Sequence, residues 1–260
     1  KNKIDVIMGT GKLLPGKQLE VTDEAGKKQS LQADHIIIAT GARSRHLPSL
    51  PQDGKNIIGY REAMTLKKQP KRLVVVGSGA IGVEFAYFYN AIGTEVTVVE
   101  YQDRIVPVED VDVSKQLEKS FKKTGIKVMT SSEVLSVESK GGERIVKIKT
   151  KKGEESIACD IVLSAAGVVA NIEKIGLEDV GIVVDAGKVV VDDYYATNIP
   201  GYYAIGDSKI LGFVDANFFR VSLANQLGQS FPLIRLLLFI PCTLKGSSNI
   251  IPCYGQRFYT

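Results

Sequence analysis

Unbroken runs of β-branched and aliphatic residues, rather than strict alternation, mark the main strands of this chain. Leu73–Val76, Val96–Val99, the HIII core of Ala33–Gly41 and the IVLSAAG stretch Ile161–Gly167 are each bounded by turn residues. Short continuous runs of this kind predict strands buried on both faces of a parallel sheet. Gly201–Asp207 (GYYAIGD) predicts another, and Lys188–Asp192 a short one. Between the first two runs, Ile81, Phe85, Phe88 and Ile92 recur at spacings of four, three and four, which predicts a helix burying that stripe. Gly93 is placed to end it. A second helix is predicted over Val113–Thr124, followed by a strand over Ile126–Met129. Residues 133–150 and 154–165 predict further strands, turning at Gly141–Gly142 and Lys152–Gly153.

Before Ala33 the runs are shorter and separated by Gly and Pro. Ile4–Met8, Gln18–Thr22 and Lys28–Gln32 predict a small meander. Residues 42–71 hold Pro48, Pro51, Gly54, Gly59 and Pro70 and are expected to connect domains, with one short helix around Glu62–Leu66. Beyond Asp207 no period is visible. The apolar run Ser230–Pro241 is too short for a membrane span of about 20 residues and is broken by Pro232 and Arg235. A poorly packed helix or an aggregation-prone tail is expected there rather than a lipid anchor, and no membrane partner is expected.

Composition narrows the function classes. At 260 residues, with 44% hydrophobic and 24% charged residues, the chain has the make-up of an ordinary globular protein. Its net charge of +4, from 33 basic and 29 acidic residues, is too mild and dispersed to argue for nucleic acid. Cys159, Cys242 and Cys253 are odd in number and far apart. With only His35 and His46 beside them they form neither a disulfide framework nor a metal set. Cys159 reads as a small buried side chain. No secretory signal is present, so a reducing cytoplasm is expected. The chain starts at Lys1 and is expected to be part of something longer.

The candidate chemistry lies at Arg72–Glu100. Gly77, Gly79 and Gly82 stand in G-x-G-x-x-G spacing directly after a strand and at the start of a helix, with Ser78, Ala80 and Ile81 between them. Gly77 permits the tight turn, Gly79 lets the backbone approach a pyrophosphate, and Gly82 allows close helix–strand packing. The helix N-terminus offers free N–H groups and the positive end of its dipole to the phosphates. Glu100 ends the next strand, 18 positions beyond Gly82. A carboxylate there accepts hydrogen bonds from the adenine ribose and repels a 2′-phosphate. Tyr101 and Gln102 follow, and the nearest arginine is Arg104, so NAD(H) is expected over NADP(H).

The ATG at 39–41, the fingerprint at 77–82 and the ending TNIPGYYAIGD at 197–207 occur in an order that resembles the two-dinucleotide-binding flavoprotein disulfide reductases. Within that family, GSGAIGVEFAYFYNAIGTEVTVVE and NIEKIGLEDVGI are most similar to its dihydrolipoamide dehydrogenase branch. NADH oxidases and mercuric reductases share all three motifs. The resemblance covers roughly residues 1–207. It implies an α/β fold in which a Rossmann-like NAD-binding domain is inserted in a partial FAD-binding domain, with a three-layer β/β/α architecture. On that pattern residues 1–70 and 189–207 belong to the FAD-binding domain, 71–188 form the NAD-binding domain, and 208–260 are a divergent tail. Carried over by motif, Gly206 and Asp207 would meet the ribitol chain of FAD. Thr40 and Gly41 would lie in the turn ending an FAD-domain strand, Gly167 would be a further cofactor contact, and Glu84 would lie near the meeting point of nicotinamide and flavin.

The family's redox cysteines, in C-x-x-x-x-C spacing, have no match among Cys159, Cys242 and Cys253, and no histidine follows His46 to match its acid–base partner. No catalytic residue is therefore assigned, and this chain alone is expected to bind NAD(H) without lipoamide turnover. The resemblance also implies homodimers and membership of 2-oxo acid dehydrogenase complexes, although the dimerisation domain has no match here. The alternatives are a non-catalytic NAD-binding chain, or a fragment of another family member such as an NADH oxidase or a mercuric reductase. A shifted reading frame would account for residues 208–260.

Overall fold

In the computed structural model, which describes residues 4–209 and the backbone of Leu236–Phe239, the chain opens with β1 (Thr10–Leu14), β2 (Gln18–Thr22), β3 (Lys28–Gln32) and β4 (His35–Ile38). There follow β5 (Ala42–Ser44), β6 (Ile57–Ile58), α1 (Tyr60–Ala63), β7 (Arg72–Val76), α2 (Ala80–Ala91), β8 (Glu95–Val99), α3 (Val111–Thr124) and β9 (Lys127–Met129). Next come β10 (Glu133–Lys140), β11 (Glu143–Thr150), β12 (Gly153–Cys159), β13 (Ile161–Ser164) and β14 (Val168–Ala170). The last elements are α4 (Leu177–Val180), β15 (Val184–Asp185), β16 (Lys188–Val189), β17 (Tyr202–Ala204), a 3-10 turn at Gly206–Ser208, and β18 (Leu236–Phe239). The described residues form two compact units: Ala42–Val169, and residues 4–41 together with 170–209.

In the Ala42–Val169 unit a five-stranded sheet has the order β6-β13-β7-β8-β9, with every pair parallel. Alternation along each strand sorts side chains between two layers. Leu73, Val75, Val96, Val98 and Leu163 pack with Ala86 and Tyr89 of α2 and Phe121 of α3. Val74, Val76, Val99 and Val162 pack with Val134, Val146, Ile148 and Cys159 of the antiparallel β10-β11-β12 meander. The sheet is therefore covered on both faces, which is why its strands read as continuous apolar runs. The three layers are the expected β/β/α arrangement of a mixed α/β fold.

Helix α2 keeps the first half of the expected stripe, with Ile81 and Phe85 partly buried against the core, and departs from it in the second half. Its buried residues are Gly82, Ala86 and Tyr89, whereas Phe88 and Ile92 are 53% and 46% exposed. Space is the reason: a Cβ on Gly82 would stand 2.0 Å from the Gly77 carbonyl oxygen, so only small residues fit between this helix and the turn. Tyr89 reaches past them, and its hydroxyl donates to Ala63 O at 2.6 Å. The ends behave as expected. Gly93, at φ +97°, follows α2, and α3 runs from an Asp110 cap to Gly125 at φ +86°.

The stretch read as a connection contributes a strand to this sheet. Asp53 accepts the N–H groups of Lys55, Asn56 and Ile57 on one oxygen, bending the chain so that Ile57–Ile58 pairs with β13. Burial pushes the Asp53 carboxyl up, but those N–H groups and the Asn56 amide outweigh it and bring it to about 2. The short helix lies at Tyr60–Ala63 rather than around 62–66, because the Glu62 carboxylate accepts Gly59 N–H and fixes its start.

In the other unit, β1-β2-β3 form an antiparallel meander whose Leu13, Leu19 and Val21 pack with Ile36, Ile38, Tyr202 and Ala204. The first strand is Thr10–Leu14 and not Ile4–Met8, whose residues are all exposed. The pairing that buries Leu13 opposite Leu19 brings Thr10 to Thr22, the last residue of β2, so β2 offers nothing to residues 4–8. Strand β4 lies between β17 and β18 and runs parallel to both. Leu236–Phe239 is thus extended and not helical: an aliphatic run has found the free edge of β4. The remaining residues from 210 on, with Cys242 and Cys253 and the expected shift of reading frame, lie outside the described residues.

The α2 packing is testable by denaturant unfolding of the Ala86→Leu and Phe88→Ala variants. Overpacking should make Ala86→Leu cost about 1–3 kcal/mol, while Phe88→Ala should cost less than about 1 kcal/mol. The reverse order would restore the aromatic stripe as the buried face.

Candidate functional site

Strand β7 runs straight into the glycine turn. Gly77, at φ +99°, donates its N–H to Val99 O at 2.9 Å, and a Cβ there would stand 2.5 Å from Ala165 O. Gly77 and Gly82 are thus required by the fold itself. Gly79 differs. It is the N-cap of α2 with ordinary φ and ψ (−65°, −179°), no side chain caps the helix, and a Cβ there would meet nothing within 4 Å. Ala80 and Ile81 continue the first turn, which carries no acidic residue. The N–H groups of this first turn are therefore left without a capping side chain, the arrangement that helix N-termini offer to anions.

Glu100 closes one side of the loop. Glu100 is only 7% exposed: Oε2 accepts Ser78 N–H at 2.7 Å and Ser78 Oγ–H at 2.6 Å, and Oε1 accepts Gln102 N–H at 2.8 Å. Val106 N–H in turn donates to Ser78 O at 3.0 Å. Val106 holds φ +42°, a conformation β-branched residues rarely adopt, so the loop after β8 is held against the glycine turn at some cost in strain. Sequence reading marked Ser78 and Glu100 separately; their bond joins residues 22 apart and leaves no periodic trace. Arg104 donates to Pro107 O at 2.8 Å and is held within its own loop.

The other expected positions in this unit are less enclosed. Gly167, at φ +101°, is exposed, accepts Arg45 N–H at 2.9 Å, and has the Arg45 guanidinium about where a Cβ would touch it, at 3.6 Å. Arg45 escaped the sequence reading because nothing in 42–71 signalled a site. Glu84 is exposed on α2.

In the other unit the turns after two paired strands leave from the same end of the sheet. Ile38 of β4 is level with Ala204 of β17, so Thr40–Gly41 and Gly206–Asp207 both follow carboxyl ends of parallel strands, where α/β sheets bind ligands. Gly41 and Gly206 have φ +64° and +66°, and Gly206 and Asp207 are exposed. Asn171, which sequence reading missed, donates its side-chain N–H to Thr40 O and its backbone N–H to Gly41 O. Thr40 itself is 2% exposed, and its Oγ1 has no hydrogen-bond partner. An orphaned buried hydroxyl costs about 1–3 kcal/mol and marks a place where a polar ligand atom would be welcome.

Thiol and metal chemistry find no support among the described residues. Burial pushes the Cys159 thiol up to about 12, which keeps it protonated and unreactive. No group of three or more His, Cys, Asp or Glu suited to a metal ion occurs among the described residues. No helix among them is long and apolar enough to cross a membrane.

Comparison with known proteins agrees with this geometry. The family described as pyridine nucleotide-disulphide oxidoreductase matches residues 1–224. Dihydrolipoyl dehydrogenases of Rhizobium etli and Zymomonas mobilis are each 44% identical over 80% of this chain, covering 46% and 45% of their own lengths. Among solved structures, LpdA from Mycobacterium tuberculosis superposes with a TM-score of 0.74 at 33% identity, over 88% of this chain and 51% of that one. A Cu(II) complex of the HOCl-induced flavoprotein disulfide reductase RclA from Escherichia coli gives 0.74 at 25% identity, over 88% and 52%. The chain therefore spans about half the length of the relatives it matches, and it has the nucleotide-binding fold of those neighbours.

The glycines separate by role in a stability measurement. Gly82→Ala should unfold at clearly lower denaturant, by about 1–3 kcal/mol or more, because a backbone oxygen blocks the new Cβ. Gly79→Ala should cost less than about 1 kcal/mol, the scale of exchanging one N-cap residue. Equal losses in the two variants would contradict the division between a glycine that packing requires and one that stands in open space.

Proposed function

The chain belongs to the pyridine nucleotide-disulphide oxidoreductase family, and from that premise we propose that it is a dihydrolipoamide dehydrogenase-like oxidoreductase chain that binds NAD(H) at the α2 N-terminus and FAD at the carboxyl end of β4 and β17. The observation that carries the reading is the uncapped helix end beside Gly79, with Glu100 buried next to it. Gly77, Ser78, Gly79, Ala80, Ile81 and Gly82 would cradle the pyrophosphate, and Glu100 would receive the adenine ribose. Gly167 would add a backbone contact, and Glu84 would stand toward the nicotinamide. A 2′-phosphate would meet the Glu100 carboxylate, while one nitrogen of Arg104 donates to Pro107 O within its own loop. This favours NAD(H) over NADP(H).

The second turn fits FAD on its own terms. Asp207 is exposed and acidic, suited to ribitol hydroxyls, and the orphaned Thr40 Oγ1 lacks a partner that a polar ligand would supply. Gly41 and Gly206 keep the backbone open beside them. FAD, when bound, supplies hydride exchange with the nicotinamide; the residues of this chain bind and orient. On this reading 71–188 form the NAD-binding domain, 1–70 with 189–207 belong to the FAD-binding domain, and the protein works in a reducing cytoplasm. Homodimers within a 2-oxo acid dehydrogenase complex complete the proposal.

A second reading, an NAD-binding chain without turnover, is favoured by one observation. Cys159, Cys242 and Cys253 lack C-x-x-x-x-C spacing, and Cys159 is buried as a neutral thiol.

A fluorescence titration of the full chain tests the nucleotide site. NADH should bind saturably, and NADPH at least about tenfold more weakly, since a like charge at the 2′ position costs more than one such factor. Equal or tighter binding of NADPH would contradict the role given to Glu100.

A further inference from the structure

A carboxylate offers about four acceptor directions, two on each oxygen. Three of those on Glu100 are filled within the protein: both on Oε2 by Ser78, through its N–H and its hydroxyl, and one on Oε1 by Gln102 N–H. One direction, on Oε1, is left for a ligand. On the Oε2 side Ser78 is 0% exposed, so water does not readily take the place of a donor lost there, and the protein's own donors decide where the charge points. Ser78 is itself immobile. It is 0% exposed, and its carbonyl is taken by Val106 N–H, which fixes the position from which the hydroxyl reaches out. Any residue at 78 would keep the backbone N–H bond. Only the hydroxyl is a property of serine.

Resting on the NAD(H) site proposed above, we infer that the Ser78 hydroxyl is a specificity-determining positioning group: it aims the buried Glu100 carboxylate so that Oε1 faces the adenine ribose, and so sets the preference for NADH over NADPH. The hydroxyl touches Glu100 and acts through it. Its loss leaves the charge in place but releases one oxygen, so the carboxylate turns between positions that receive the ribose and positions that do not. NADH loses a well-aimed acceptor. NADPH, which never gained from that acceptor, loses little.

Ser78→Ala removes one oxygen atom and leaves the backbone bonds. In fluorescence titrations of the full chain it should weaken NADH binding about five- to tenfold, the scale of one net hydrogen bond, and change NADPH binding less than about twofold. The NADPH-to-NADH ratio of dissociation constants should therefore fall. Ser78→Cys, of similar size but a weaker donor, should give an intermediate ratio, with circular dichroism confirming that both variants are folded. Equal weakening of both nucleotides would overturn the inference, because a hydroxyl that merely braces the glycine turn acts on the shared pyrophosphate. Unchanged binding of both would overturn it as well. Failure of the parent chain to bind NADH would instead remove the nucleotide site and this inference together.

Discussion

The close approach of the β7–α2 turn to its own sheet is the constraint on which this architecture depends. The Gly77 carbonyl lies where a side chain on Gly82 would begin, and the Ala165 carbonyl lies where one on Gly77 would begin. Nothing larger than hydrogen fits at either position. That closeness draws the first turn of α2 down onto the strands, and no side chain caps its N-terminal N–H groups beside Gly79. The same closeness brings Ser78 within reach of Glu100 at the end of the neighbouring strand. The packing of this turn and, on the proposed reading, its fitness for a nucleotide follow from one steric fact, and the glycine that packing does not require, Gly79, is the one left open.

Charge placement completes the arrangement. A buried carboxylate is tolerable only if its oxygens are supplied with donors, and Glu100 obtains three from the turn it faces and the loop that follows it. The loop is anchored in return through Val106, whose strained backbone is held between the Ser78 carbonyl and the Ser114 hydroxyl. In the other unit the balance runs the opposite way. Thr40 is buried with an unspent hydroxyl, and the structure there is incomplete in the hydrogen-bonding sense until something polar arrives.

The glycine spacing and Glu100 were legible in the sequence because each requirement is local: a turn, an approach, a strand end. The parallel strands were legible because burial on both faces removes alternation. What hydropathy could not show is which apolar residues fit. Phe88 and Ile92 score as core yet stand outward, because the face that α2 turns to the sheet carries Gly82, Ala86 and Tyr89. Residues 53–58 were opaque because side-chain bonds from Asp53 to the backbone, not an apolar pattern, turn them into a strand. The Asn171 contacts to Thr40 and Gly41 join positions about 130 apart, and only the folded chain brings them together.

Amide hydrogen exchange of the full chain, with and without saturating NADH, tests the central claim most directly. The account predicts slowed exchange at Gly79–Gly82, where N–H groups at the start of α2 gain phosphate partners. Saturable binding with no protection there, or with protection confined to the unit carrying β1–β4, would contradict it.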